Sequence, residues 1–299
     1  LTALFFGAQA LIWGSASLAR RLGLSPLVIG LTVVAFGTST PELFVVVQAS
    51  LEGKQGISVG NVLGANMLNL GIILGVTALI RPLRIELQLI RFDVPIMIFA
   101  SLLLAAFLED RLLSRAEAAT LFFGMILYML FTATMARRAR QAAVLAEYAE
   151  AEPRQMASIW REILYIAGGL MLLALGANLL IDGAVSIARA AGISETMIGM
   201  TVVAAGTTLP ELITSVVAAR RRAPDIAVGN VVGSNIFNIL GVMGLAGMLR
   251  PIHAPEVAVA EVMGMVVLAL VVLPIMWRGF VVNRIEGALL ICAYAASFY

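Results

Sequence analysis

Two short stretches place a carboxylate where a chain this apolar gives it no ordinary reason to be. Gly37-Thr38-Ser39-Thr40-Pro41-Glu42 lies inside one long apolar segment, and Gly206-Thr207-Thr208-Leu209-Pro210-Glu211 inside another. A charged side chain at the centre of a membrane helix costs about 2.5–3.5 kcal/mol on insertion scales, and packing alone does not ask for it. Pro41 has no N–H, so the Gly37 carbonyl one turn earlier loses its helical donor, and the ring kinks the chain. Freed carbonyls are tolerated at membrane depth only where they face protein, water or an ion. Thr38, Ser39 and Glu42 follow at helical spacing, which predicts one shared face. Hydroxyl, carbonyl and carboxylate oxygens are gathered in this way twice. A donor set of oxygen alone suits hard cations such as Na+, Ca2+ or Mg2+ and not zinc or copper. The two glutamates together neutralise one Ca2+. The competing reading is a kinked helix with an uncharged glutamate hydrogen-bonded for packing, and the matched second copy argues against it.

Neighbouring apolar segments carry Gly60-Asn61 with Gly64-Ala65-Asn66-Met67-Leu68-Asn69, and Gly229-Asn230 with Gly233-Ser234-Asn235-Ile236-Phe237-Asn238. Their glycines let two helices approach closely. The asparagines ask for more, because an amide left unpaired in an apolar medium carries a large penalty. Asn69 and Asn238, at the ends of their motifs, are placed to complete an oxygen shell between the glutamates. Asn66 and Asn235, three residues earlier on nearly the same face, suit helix-to-helix hydrogen bonding.

The elements that must position these groups are read from the apolar pattern. The chain is 61% hydrophobic and 13% charged, against roughly 25% charged for a soluble domain. Its apolar runs are long enough to cross a bilayer, which takes roughly 20 residues of helix. A soluble globular class is excluded. The pattern predicts an all-α membrane protein of about ten transmembrane helices. They lie near residues 2–19, 26–51, 57–80, 92–108, 116–136, 163–188, 196–219, 226–249, 257–277 and 284–298. Residues 1–136 form one five-helix half and 163–299 the other, joined by a charged linker at 137–162.

Residues 23–82 align with 192–251 without a gap, at an offset of about 169, and about 26 of some 60 pairs are identical. Gly30–Leu43 answers Gly199–Leu212, and Val59–Asn69 answers Val228–Asn238. Placing both termini outside puts about 15 of the 20 Lys and Arg on the cytoplasmic side with the linker, as the positive-inside rule requires. An odd number of spans per half then inverts one repeat relative to the other, which is the arrangement of many secondary transporters.

The paired motifs GTSTPE with GANMLN and GTTLPE with GSNIFN resemble the two α-repeats of the cation/calcium antiporter superfamily, specifically its sodium/calcium exchanger branch. The resemblance covers both motif pairs, the repeat and the length. It implies a cluster of four cation sites at mid-membrane. One takes Ca2+ between Glu42 and Glu211, helped by backbone oxygens of Thr38 and Thr207. Three Na+ replace it, using Ser39, Thr208, Ser234, Asn69 and Asn238 with carbonyls at Ala35 and Ala204. It also implies that the first and sixth spans slide across the other eight. Two positions depart from the pattern. Ala65 stands where its counterpart Ser234 keeps a hydroxyl, so one sodium site is expected to lack a ligand. Asn238 is neutral where potassium-dependent relatives carry Asp, which weakens the case for potassium coupling.

The expected function is therefore electrogenic Na+/Ca2+ antiport by alternating access, about three Na+ per Ca2+, in the plasma (inner) membrane. A proton/calcium antiporter on the same fold is the first alternative and a passive cation channel the second. An enzyme is excluded, because there is no His-Glu-x-x-His or other metal-ligand cluster. His253 lies in a polar connection without a ligand partner nearby, and the lone Cys292 offers neither a disulfide nor a thiol metal site. The expected partners are Na+, Ca2+ and the lipid bilayer. No nucleic acid, protein partner or cofactor beyond the transported ions is implied.

Overall fold

The computed structural model of the chain describes residues 2–145, 158–191, 204–255 and 257–297. The first half opens with α1 (Thr2–Leu22). Ser25 caps the next helix by accepting the Val28 N–H, with Pro26 in its first turn, where the missing proline N–H does no harm. This α2 (Pro26–Ile29) widens into a π turn at Gly30–Val34 and continues as α3 (Ala35–Thr38). After a break at Ser39 comes α4 (Thr40–Glu52), bent by 46° from the segment before it. Left-handed Gly53 (φ 81°) then turns the chain into α5 (Gln55–Leu68). A π turn at Asn69–Ile73 carries α5 into α6 (Leu74–Ile80). A third π turn, Leu89–Asp93, leads into α7 (Val94–Phe107), and α8 (Arg115–Leu145) follows.

The second half contains α9 (Ile159–Ala190), α10 (Ala204–Thr207) and α11 (Leu209–Arg220). Next, α12 (Pro224–Ile236) runs through a π turn at Phe237–Met243 into α13 (Gly244–Leu249). It ends with α14 (Val259–Trp277) and α15 (Arg284–Ala296). Among the described residues, seven helices are long and apolar enough to cross a membrane, or eight if the bent pair is one span. The start of the predicted span 196–219 lies outside the described residues. At 13 residues α15 is shorter than a straight crossing needs.

Two features depart from the expected plain helices. One is the set of π turns. The other is a pair of short antiparallel ribbons: β1 (Leu83–Arg84) pairs with β4 (Val281–Val282), and β2 (Leu112–Leu113) with β3 (Ile252–His253). The strands follow one another at the same offset as the sequence repeat. So do left-handed Arg111 (φ 62°) and Phe280 (φ 54°), which begin the turns into β2 and β4.

The interior divides in two. A large apolar cluster joins α5–α8 with α12–α15 through residues such as Leu63, Leu104, Leu121, Ile239 and Leu268. A smaller one joins α1 and α9 to one another through Leu4, Leu11 and Leu173, and to Ile29, Val217 and Ile226. Glycine makes the α1–α9 contact possible: a Cβ on Gly169 would stand 2.6 Å from the Leu11 nitrogen and 2.7 Å from the Gly7 carbonyl oxygen. At one end of this pair, Glu162 accepts from Ser17 at 2.6 Å and from the Arg21 guanidinium at 2.7 Å. Outward faces carry bare apolar side chains such as Phe44, Trp160, Leu164 and Met171. That surface is suited to lipid.

Candidate cation site

Proline sets the geometry. Pro41 and Pro210 each sit in the first turn of a helix, and the residue just before that helix, Ser39 or Thr208, leaves helical geometry with φ near −87° and ψ near 0°. Glu42 and Glu211 thereby occupy the first turns of α4 and α11, where a helix N-terminus favours negative charge. Thr38, Ser39 and Glu42 are consequently not on one face of a continuous helix, as their spacing suggested. The break lets them point across to the other half.

All nine predicted ligand residues are buried: Thr38, Ser39, Glu42, Asn69, Thr207, Thr208, Glu211, Ser234 and Asn238. Ser39 donates to Glu211 Oε1 at 2.8 Å. Thr38 also lies beside the Glu211 carboxylate, and Thr207 and Thr208 lie beside that of Glu42. The two carboxylates are near enough to act on one another electrostatically. Each acidic helix also packs against the asparagine turn of the opposite half, α4 against Phe237–Met243 and α11 against Asn69–Ile73.

The asparagines form a crossed pair of hydrogen bonds. Asn69 Nδ2 donates to Asn235 Oδ1, and Asn238 Nδ2 donates to Asn66 Oδ1, each at 3.2 Å. Asn66 and Asn235 are held in turn by the thioethers of Met265 and Met97, each at 3.6 Å. With their amide nitrogens occupied, Asn69 and Asn238 keep their Oδ1 atoms free of any hydrogen-bond donor. Glu211 Oε2 and the Ser234 hydroxyl oxygen are likewise buried without a partner. Buried polar atoms are nearly always paired. A concentration of unpaired oxygen acceptors around two carboxylates, with no basic side chain among them, fits hard cations.

Sequence reasoning missed three supporting residues. Asn230 accepts from the Thr38 hydroxyl at 3.0 Å and donates to Ser215 at 3.0 Å, which fixes α3 against α12. The Thr38 hydroxyl also reaches the Val34 carbonyl at 3.1 Å. Its one hydrogen is therefore taken up within the fold. The Gly-Asn pair that contains Asn230 was visible but gave no direction for its amide. Met97 and Met265 carried no signal, since methionine in an apolar run reads as core. His253 lies in β3, where its N–H donates to Gln55 Oε1 at 2.7 Å. No cluster of three or more His, Cys, Asp or Glu side chains occurs among the described residues.

Comparison with known proteins gives a consistent result. A family model described as sodium/calcium exchanger protein matches residues 1–134 and 161–299. The chain is 36% identical over 304 residues to the putative antiporter CaxA of Alkalimonas amylolytica, covering 100% of this chain and 95% of that protein. It is 31% identical over 324 residues to the sodium/calcium exchanger MaX1 of Methanosarcina acetivorans, covering 97% and 93%. A solved structure of the sodium-calcium exchanger NCX_Mj superposes with a TM-score of 0.86 at 30% identity, covering 100% of this chain and 94% of that one. The site geometry and these likenesses agree: the chain is an integral membrane protein of the sodium/calcium exchanger family.

Proposed function

We propose that this protein exchanges Na+ for Ca2+ across the membrane by alternating access, with both ions carried as substrates at the site between α4 and α11. The observation that carries the reading is a pair of buried, electrostatically interacting glutamates on helices packed against the asparagine turns, where buried oxygens lack hydrogen-bond donors. Ca2+ sits between Glu42 and Glu211 with the Thr38 and Thr207 carbonyls. Na+ ions take Ser39, Thr208, Ser234, Asn69 and Asn238. Asn66 and Asn235 hold the last two in register. The membrane is the plasma (inner) membrane, with both termini outside and the 137–162 linker in the cytoplasm. Two inverted five-helix halves supply equivalent access from the two faces, and the ribbons fit this arrangement, since each joins connections on one face. Buried carboxylates also carry protons, so a proton/calcium antiporter is the competing reading. Calcium uptake into vesicles loaded in turn with Na+, K+ or acid distinguishes them: a Na+ gradient drives uptake, and a pH gradient alone does not.

Charge counting gives a further expectation. With two site carboxylates the Ca2+-loaded centre is neutral and a three-Na+ centre carries about +1, which couples to voltage at roughly 2.3 kcal/mol per charge per 100 mV. An imposed potential should accelerate or slow sodium-driven calcium flux according to its sign. Flux indifferent to voltage overturns the three-for-one count.

The broken symmetry at Ala65 gives another. Ala65 and Ser234 are both buried, and only the serine offers an oxygen. Sodium binds more weakly on the Ala65 side, so Ala65→Ser should lower the Na+ concentration needed to release Ca2+ from the cytoplasmic face and leave Ca2+ affinity nearly unchanged. Sodium titrations of both proteins check this. An unchanged titration with intact stability means that Ala65 does not border a sodium site.

A further inference from the structure

Asp93 is a carboxylate of the apolar interior that the cation site does not use. It is fully buried, closes the π turn Leu89–Asp93, and is followed by Pro95 in the first turn of α7. Tyr128 of α8 donates its hydroxyl to Asp93 Oδ1 at 3.1 Å, while Oδ2 has no hydrogen-bond partner. Gln88 lies beside the carboxyl, and Thr132, one turn past Tyr128, lies beside the phenol. Isolated π turns inside helices are frequent at functional sites. Ionisable groups within membrane spans are rare and generally functional.

This turn is also where the two halves part company. Asn66 and Asn235 are separated by the repeat offset, but their thioether partners Met265 and Met97 are one residue closer together than that. The first half thus holds one extra residue ahead of its methionine, and a π turn is the way a helix absorbs an extra residue. Asp93 precedes Met97 by four positions. The residue four before Met265 is Glu261, exposed at the start of α14. The buried charge belongs to the first half alone.

Asp93 and Met97 lie one turn apart, on one side of the helix. Met97 Sδ meets Asn235 Nδ2 at 3.6 Å, and Asn235 Oδ1 accepts from Asn69 at 3.2 Å. Contacts therefore run from Met97, one turn along the helix from the carboxylate, through Asn235 to Asn69, the proposed sodium ligand. Glu86 is half-buried in the connection after α6. Burial first, and the Asp225 carboxylate at the start of α12 second, hold its carboxyl above the usual range. Glu86 acts electrostatically on Asp93. Among the described residues, the other packed elements bring only Tyr128 from α8. On α14, no titratable residue lies between Glu261 and Trp277, and Arg91 of the π turn itself faces outward.

We propose that Asp93, with Tyr128, is a proton-binding site separate from the cation cluster, and that its proton weakens sodium binding through Met97, Asn235 and Asn69. The proposal rests on the reading of Asn69 as a sodium ligand. A hydronium ion arriving from the cytoplasmic face past Glu86 gives its proton to Oδ2 and leaves as water. The added proton removes a negative charge from a low-dielectric bundle that holds cations, where such a charge acts strongly.

Sodium-dependent Ca2+ flux in proteoliposomes tests this, with pH varied between about 5.5 and 8.5 on the cytoplasmic face, a range over which a buried carboxylate can titrate. In the wild type the half-saturating Na+ concentration should rise roughly fivefold as pH falls, the low end for coupled sites. Asp93→Asn should hold the acid value at every pH, and Asp93→Glu should still titrate. Tyr128→Phe removes a donor that favours the charged form, so its midpoint should move to higher pH. An Asp93→Asn protein with the wild-type pH dependence overturns the proposal, because protons then act elsewhere, as at Glu42 and Glu211. A lower melting temperature with a parallel pH profile shows a structural role only and overturns it equally. If Asp93→Asn does not fold, Tyr128→Phe decides alone, and an unmoved midpoint overturns the site. Asn69→Ala separates the two readings. If it raises the Na+ requirement while Asp93→Asn changes nothing, the ligand reading stands and the proton site falls. If it leaves the Na+ requirement unchanged, the ligand reading falls, and the route through Asn69 with it.

Discussion

Glu42→Gln and Glu211→Gln will each stop calcium exchange in a protein that still folds. The two carboxylates are buried at the first turns of α4 and α11 and act on one another electrostatically. A divalent ion seated between them has each as a desolvated charge partner. Truncating one member of such a buried pair costs on the order of 2–5 kcal/mol, a roughly 30- to 5,000-fold loss of affinity. Glutamine keeps the volume and one acceptor oxygen, so packing is preserved. Removing a buried charge should leave stability equal or slightly higher, since a buried charge is a burden on the fold when no cation neutralises it. Calcium flux and thermal melting measured on the same preparations check both halves of the expectation. Near-normal flux in Glu42→Gln would mean that the ion binds elsewhere.

The second large effect is expected at the contact of α1 with α9. Gly169→Leu should prevent the two helices from docking. The first added carbon would stand 2.6 Å from the Leu11 nitrogen and 2.7 Å from the Gly7 carbonyl oxygen. Both are backbone atoms and cannot swing aside. Overpacking of this kind costs about 1–3 kcal/mol or more. The neighbouring Gly168 has open space around its missing side chain, so Gly168→Leu should be tolerated. Size-exclusion profiles and melting curves of the two variants form the comparison. Equal behaviour would show that α1 and α9 do not need this close approach.

Both expectations start from residues visible in the sequence, and it is instructive which others were not. The glutamates, prolines and asparagines were legible because each is costly in an apolar run and each occurs twice. Asn66 and Asn235 were expected to bond from helix to helix, and they accept from Asn238 and Asn69. The π turns were not legible, because widening a helix by one residue leaves its apolar composition unchanged. Ser39 was expected to share a helix face with Glu42 and instead reaches Glu211 of the other half. Spacing along one helix cannot report a partner in another. Two-residue strands such as Leu83–Arg84 have no alternation to detect. Asp93 was in plain view beside Pro95, yet a predicted span beginning at residue 92 made it look like an end residue and not an interior one.

The ribbons bear on how the molecule came to be one chain. β1 takes its partner from the second half and so does β2, while β3 and β4 are their counterparts in the repeat. Neither half pairs its own two strands. Exchange the labels of the halves and the pattern is unchanged, which is the rule for a two-fold dimer built from identical subunits. The joint between the halves is thus a subunit interface in kind. Ala65 opposite Ser234, and Asp93 without a buried counterpart, are the places where that exchange of labels no longer leaves the interior unchanged.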